Sequence, residues 1–154
     1  MPYRQLVFAA ATLLLLAACR EQASQTAEAP ATAATPSPAG PQCYAYTTAK
    51  DTVHLTLATT QPTVTGQLSY RYSEKDRNEG TIRGAMYGDT LRAEYTFQSE
   101  GVSSVREVVF LRRGSGFVEG YGDVVERGGA TVFKQPHALR YLSAQPLVPV
   151  ACPK

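Results

Sequence analysis

Two charges sit where an alternating strand should turn its apolar side. In FQSEGVSSVREVVFLRRGSGFVEGYGD, Phe97 to Asp123, Arg106 and Glu119 share a period-two face with Phe97, Val108, Phe110, Phe117 and Tyr121. Glu107 falls on the opposite face with Arg92, Glu94, Thr96 and Gln98, which predicts a solvated position. An unpaired charge on an inner face is too costly to persist. Arg106 and Glu119 are therefore expected to approach each other, or to meet tyrosine hydroxyls or water. An Arg106–Asp123 contact competes. Three uses of this group remain open. It is a structural ion pair or polar plug. Or, with Tyr70, Tyr95 and Tyr121, it is the polar anchor of an apolar ligand pocket. Or Glu119 is an acid or base, which would call for a second carboxylate or a nucleophile beside it. No such partner is identified, so no catalytic residue is assigned.

The remaining chemistry-bearing residues carry less. His54 lies on the polar side of its segment and His137 follows Pro136 in a loop, which reads as two surface histidines and no metal. No cofactor is expected: no phosphate-cradling glycine loop is present, and Gly114–Gly116 reads as a hairpin turn, not a nucleophile elbow. A formal charge of +2 with scattered Arg and Lys leaves no footprint for nucleic acid. The polar run Ser73–Gly80 is a solvated loop or a partner-facing epitope.

The elements that must position these residues are strands. Alternation is broken by turn residues every eight to twelve positions, the pattern of an all-β sandwich or barrel. Strands are predicted at Cys43–Thr47, Thr52–Thr59, Thr63–Tyr72, Thr81–Tyr87, Thr90–Gln98, Val105–Arg112 and Gly116–Asp123, with short ones near Thr131–Phe133 and Ala138–Leu142. Pro136, Pro146, Pro149 and Pro153 assign the tail to edges or loops. A turn at Gly88–Asp89 pairs Met86 with Leu91, Gly84 with Ala93 and Ile82 with Tyr95. A turn at Gly114–Ser115 pairs Phe110 with Glu119 and Val108 with Tyr121, and brings Arg106 opposite Asp123. A six-residue loop, Ser99–Ser104, places Tyr95 opposite Val108 and Phe97 opposite Arg106. A turn at Thr60–Gln61 aligns Leu57 with Val64 and Leu55 with Gly66. One apolar face propagates through every hairpin, and a one-residue slip would reverse it. The expected fold is an antiparallel meander of roughly eight strands closing into a small barrel, with Gly66 and Gly84 in a curved wall.

The amino terminus belongs to processing rather than to this fold. Residues 1–18 carry Arg4 and an apolar run from Leu6 to Ala18, the length of a signal-peptide core and too short to span a membrane comfortably. The run ends in Leu16-Ala17-Ala18-Cys19, which resembles the bacterial lipobox, and this implies that Cys19 carries acyl chains such as palmitate. Several chains would anchor stably, at about 0.8 kcal/mol per buried methylene. Arg20, where an Asp would mark inner-membrane retention, favours the outer membrane. Residues 19–41 are Ala, Thr, Pro and Ser without a periodic apolar residue, and read as a disordered tether. The domain then runs over 42–154. Cys43 and Cys152 remain. In an oxidising compartment they most simply pair, closing a loop that stabilises by roughly 4 kcal/mol in the chain-entropy model.

Tyr95, Phe97, Ser99, Glu100, Gly101, Ser104, Arg106, Glu107 and Val108, followed by Glu119-Gly120-Tyr121-Gly122, form a pattern that resembles a group of small bacterial envelope lipoproteins with a C-terminal β-barrel-like domain. The resemblance covers most of Cys43–Cys152 and brings no activity. By analogy the architecture is similar to lipid-anchored lysozyme inhibitors and lipocalin-like proteins, without the inhibitors' active-loop motif. The expected function is non-enzymatic: a lipid-anchored envelope protein binding a small ligand or an envelope partner. The alternatives are an inhibitor or interaction module acting through Ser73–Gly80 and Ser99–Ser104, and a hydrolase using Glu119.

Overall fold

The computed structural model describes residues 40–60, 62–73 and 77–153. The expected leader 1–18, Cys19 and the tether up to residue 39 lie outside the described residues. The chain is all-β, and among the described residues no helix forms. Its strands are β1 (Gln42–Thr47), β2 (Thr52–Thr60), β3 (Thr63–Arg71), β4 (Asn78–Tyr87), β5 (Thr90–Ser99), β6 (Val102–Arg113), β7 (Gly116–Tyr121), β8 (Val124–Arg127), β9 (Ala130–Phe133), β10 (Arg140–Tyr141) and β11 (Val148–Val150).

β1 to β7 meander in sequence order, each strand antiparallel to the one before. The β4–β5 register is as read from the sequence: Met86 faces Leu91, Gly84 faces Ala93 and Ile82 faces Tyr95. So is the start of β6–β7, where Arg113 pairs with Gly116 and Phe110 with Glu119. Two hairpins differ by two residues. Thr60 pairs with Thr63, so Leu57 meets Gly66 and Leu55 meets Leu68. Ser99 pairs with Val102, so Tyr95 meets Arg106 and Phe97 meets Ser104. The expected six-residue loop is a two-residue turn instead, with positive φ at both Glu100 (49°) and Gly101 (78°), the conformation whose twist suits a tight hairpin. A shift of two keeps every side chain on its face. Along β5, Leu91, Ala93 and Tyr95 are accordingly buried while Glu94 and Thr96 are exposed.

The sheet wraps around this face. Tyr70 on β3 and Glu119 on β7 lie four strand steps apart, which on a flat sheet would be about 19 Å, yet their side chains are hydrogen-bonded at 2.6 Å. Tyr44 on β1 packs edge-on against Phe117 on β7, with ring centroids 5.0 Å apart. Glycine permits the bend. A Cβ on Gly66 would lie 1.9 Å from the carbonyl oxygen of Thr56, and one on Gly84 would lie 2.0 Å from that of Arg92. Only a residue without a side chain lets the neighbouring backbone come so close.

The expected closed barrel of about eight strands is corrected. Among the described residues the sheet holds eleven strands and does not close; its main path runs from β10 at one edge to β11 at the other. Leu147 makes an isolated bridge to Phe117, with both backbone hydrogen bonds formed. The next three residues turn away to pair with β1. Pro146 and Pro149 supply no N–H, so this short segment cannot form a second continuous ladder to β7. The sequence reading also missed β8 and β11, and put β4 three residues too late. Cys43 and Cys152 are joined in a disulfide, with Cα atoms 5.2 Å apart and a sequence separation of 109.

Candidate functional site

Glu119 occupies the last pair of the β6–β7 ladder. Beyond it β7 leaves β6 and pairs with β10, Tyr121 facing Arg140, while β9 meets β6 in parallel at Thr131 and Arg106. The expected Val108–Tyr121 and Arg106–Asp123 pairings are therefore absent from the ladder. The Asp123 carbonyl instead accepts from the Lys134 N–H at 2.8 Å. Arg106 turns to the inner face beside Tyr95, its ladder partner.

The five candidate residues converge there. The Tyr70 hydroxyl donates to Glu119 Oε1 at 2.6 Å and the Tyr121 hydroxyl donates to Oε2 at 3.0 Å. Arg106 Nη2 lies 3.9 Å from Oε1. Both routes to satisfying the charge, a cation and tyrosine hydroxyls, are thus used together. The Arg106 guanidinium packs over three rings, at 4.9 Å from the centroid of Tyr70, 5.5 Å from Tyr95 and 5.8 Å from Phe97. Each such contact is worth about 0.5–2 kcal/mol. Tyr95 and Phe97 stack with centroids 4.8 Å apart. Tyr70, Tyr95 and Glu119 form a buried floor, whereas the Arg106 side chain remains 34% exposed and Tyr72, Phe97 and Tyr121 are half-buried. The group therefore grades from a dry base to a wet rim.

Burial pushes the Glu119 carboxyl above the ordinary carboxylate value, against the pull of the Tyr70 hydrogen bond, the Arg106 charge and the Tyr121 hydrogen bond. The phenols are raised as well. Burial, then the charge of Glu119, lifts Tyr70 strongly and lifts Tyr121 and Tyr72 too. Burial pushes Tyr95 up to about 12. These four hydroxyls are expected to hold their protons to higher pH in the folded protein than in the unfolded one, where free phenols titrate at about 10. Stability should then fall as pH rises above that value, because the folded state holds the protons that the unfolded state releases. Absorbance at 295 nm, read at pH 11 before and after urea, checks this. A step that shrinks in a Tyr70→Phe variant is expected, and no step would contradict it.

Three buried polar atoms of this face have no partner among the described residues: Tyr95 Oη, Arg106 Nε and Asn78 Oδ1. Asn78 pairs with Tyr70 across β3–β4 and so shares its face. The sequence reading left Asn78 in the loop Ser73–Gly80, although Asn78, Gly80 and Ile82 continue one parity. That loop is shorter than expected, because β4 begins at Asn78; positions 74–76 lie outside the described residues.

Glu107 lies on the outer face as expected, but it is not solvated. It pairs with Arg92 and accepts the Phe133 N–H at 3.0 Å, so the strand after the Gly128–Gly129 turn covers it. His54 and His137 are exposed, and no cluster of three or more metal-binding side chains occurs among the described residues. Comparison with known protein families, curated proteins and solved structures finds no match.

Proposed function

We propose that this chain is a lipid-anchored, non-enzymatic binding domain of the bacterial outer envelope, and that it takes a small polar ligand at the Arg106–Glu119–tyrosine cluster. One observation carries the ligand site. Tyr95 Oη, Arg106 Nε and Asn78 Oδ1 are buried on a single face without partners among the described residues. Such groups cost roughly 1–3 kcal/mol each when left unpaired, and a few convergent polar groups in an aromatic surround are what a small-molecule site supplies. A hydroxyl, an N–H and an amide carbonyl suit a ligand with both hydrogen-bond donors and acceptors. Glu119 is engaged by two phenols and an arginine, with no second carboxylate hydrogen-bonded to it among the described residues. That favours holding over hydrolysis. The anchor rests on the Leu16–Cys19 motif, and the Cys43–Cys152 disulfide suits an oxidising compartment.

The test is a nitrogen-15 NMR screen of amino acids, sugar phosphates, peptidoglycan fragments and short peptides against the protein. A ligand of this site is expected to shift the Arg106 Nε–H resonance saturably, and an Arg106→Gln substitution to weaken its binding at least tenfold. If no compound moves that resonance, or if Arg106→Gln binds equally well, the proposal fails.

A further inference from the structure

The outer face carries a concavity, away from the cluster. The outward side chains of β4, β5 and β6 form its floor, and the β8–β9 hairpin with residues 134–136 forms its wall. Its volume of about 530 Å³ lies within the range of small-molecule sites. Four cationic side chains, Arg83, Arg92, Arg127 and Lys134, line it against two carboxylates, Glu94 and Glu107, leaving a balance of +2. Glu107 already has both oxygens engaged, one by Arg92 and one by the Phe133 N–H, so it fastens wall to floor. Positive charge lining a cleft concentrates anions there. The wall sets the apolar residues Ala130, Val132 and Pro136 beside the cations Arg127 and Lys134.

We propose that this groove binds one molecule of an anionic amphiphile, with a phosphate, sulfate or carboxylate head against the cations and an apolar body along the β9 wall. Cations on both the floor and the wall, set beside the apolar residues of β9, argue for such a ligand over a free inorganic ion or a neutral sugar. Arginine and lysine give the head charge-assisted hydrogen bonds, and the wall gives the tail its burial. Neither the lipid anchor nor the inner-face ligand is needed for this site.

Octyl phosphate, kept below its micelle concentration, is the probe, titrated into the full chain with NMR detection. Saturable one-to-one binding that shifts the amides of Val132, Phe133 and Lys134 is expected. Octyl glucoside and inorganic phosphate should each bind at least tenfold more weakly. Lys134→Glu should weaken octyl phosphate at least tenfold, and reversal of an exposed cation elsewhere, Lys50→Glu, should change it less than twofold. Equal binding of octyl glucoside would remove the role of charge. Equal binding of inorganic phosphate would remove the role of the apolar wall. An equal loss in Lys50→Glu would reduce the effect to net charge. Any of these overturns the proposal, as does absence of binding or association with anionic lipid vesicles alone.

Discussion

Replacing Glu119 by alanine is expected to lower the unfolding free energy by about 3 kcal/mol or more, the size of breaking a buried polar network from one side. The variant would leave the Tyr70 and Tyr121 hydroxyls without their acceptor. It would also open a cavity in the floor of the site. The lost ion pair is the smaller part, since Arg106 stands 3.9 Å away and is one-third exposed. Glu119→Gln keeps an acceptor of nearly the same shape and should cost only about 1 kcal/mol. It should also remove a pH dependence. The folded carboxyl titrates above its unfolded value because burial dominates. Between those two values the folded state binds more protons, so stability falls as pH rises through that window. Below the unfolded value the effect is absent, and above the folded value it is fully expressed. Urea unfolding of wild type and Glu119→Gln from pH 4 upward checks both statements. The wild-type advantage should shrink with rising pH, and an advantage that grows would contradict the burial-dominated shift.

Removing the disulfide is the other large effect. Cys43 and Cys152 stand 109 positions apart, so the bond restricts nearly the whole unfolded domain. A Cys43→Ala/Cys152→Ala variant is expected to lose about 2–5 kcal/mol. The structural consequence is local. Cys152 follows β11, whose three residues pair with β1 and whose preceding residue, Leu147, bridges to Phe117. Without the bond that edge has a short ladder and two prolines to hold it. Phe117 stands two residues before Glu119, so loosening should spread toward the site. Urea titration with and without reductant measures the loss, and coincident transitions would contradict it.

What the sequence conveyed was parity. Arg106, Glu119, Tyr70, Tyr95 and Tyr121 were placed on one face because each keeps the period of two with its hydrophobic neighbours, and the wrapped sheet gathers that face. Register was less legible, since the same alternation fits pairings two residues apart. Turn length decides between them, and at Glu100–Gly101 it depends on a non-glycine residue adopting positive φ, which no usual Asn or Asp announced. The Gly128–Gly129 pair was a readable hairpin signal for β8–β9. Its parallel contact with β6 was not, and that contact is why Glu107 is covered. Closure failed as an expectation for a similar reason: Val148–Val150 finds its partner in β1, a hundred residues away in sequence, where local pattern carries no information.

The central claim is that the wrapped sheet holds Glu119 in a dry, phenol-lined floor with Tyr70 as its closest donor. Direct titration of the Glu119 carboxyl carbon by NMR, in wild type and in Tyr70→Phe, tests it. The account expects a midpoint above that of an ordinary glutamate, and a further rise once the Tyr70 hydroxyl is gone, because that bond favours the charged form. A midpoint at or below the ordinary value, unmoved by Tyr70→Phe, would contradict it.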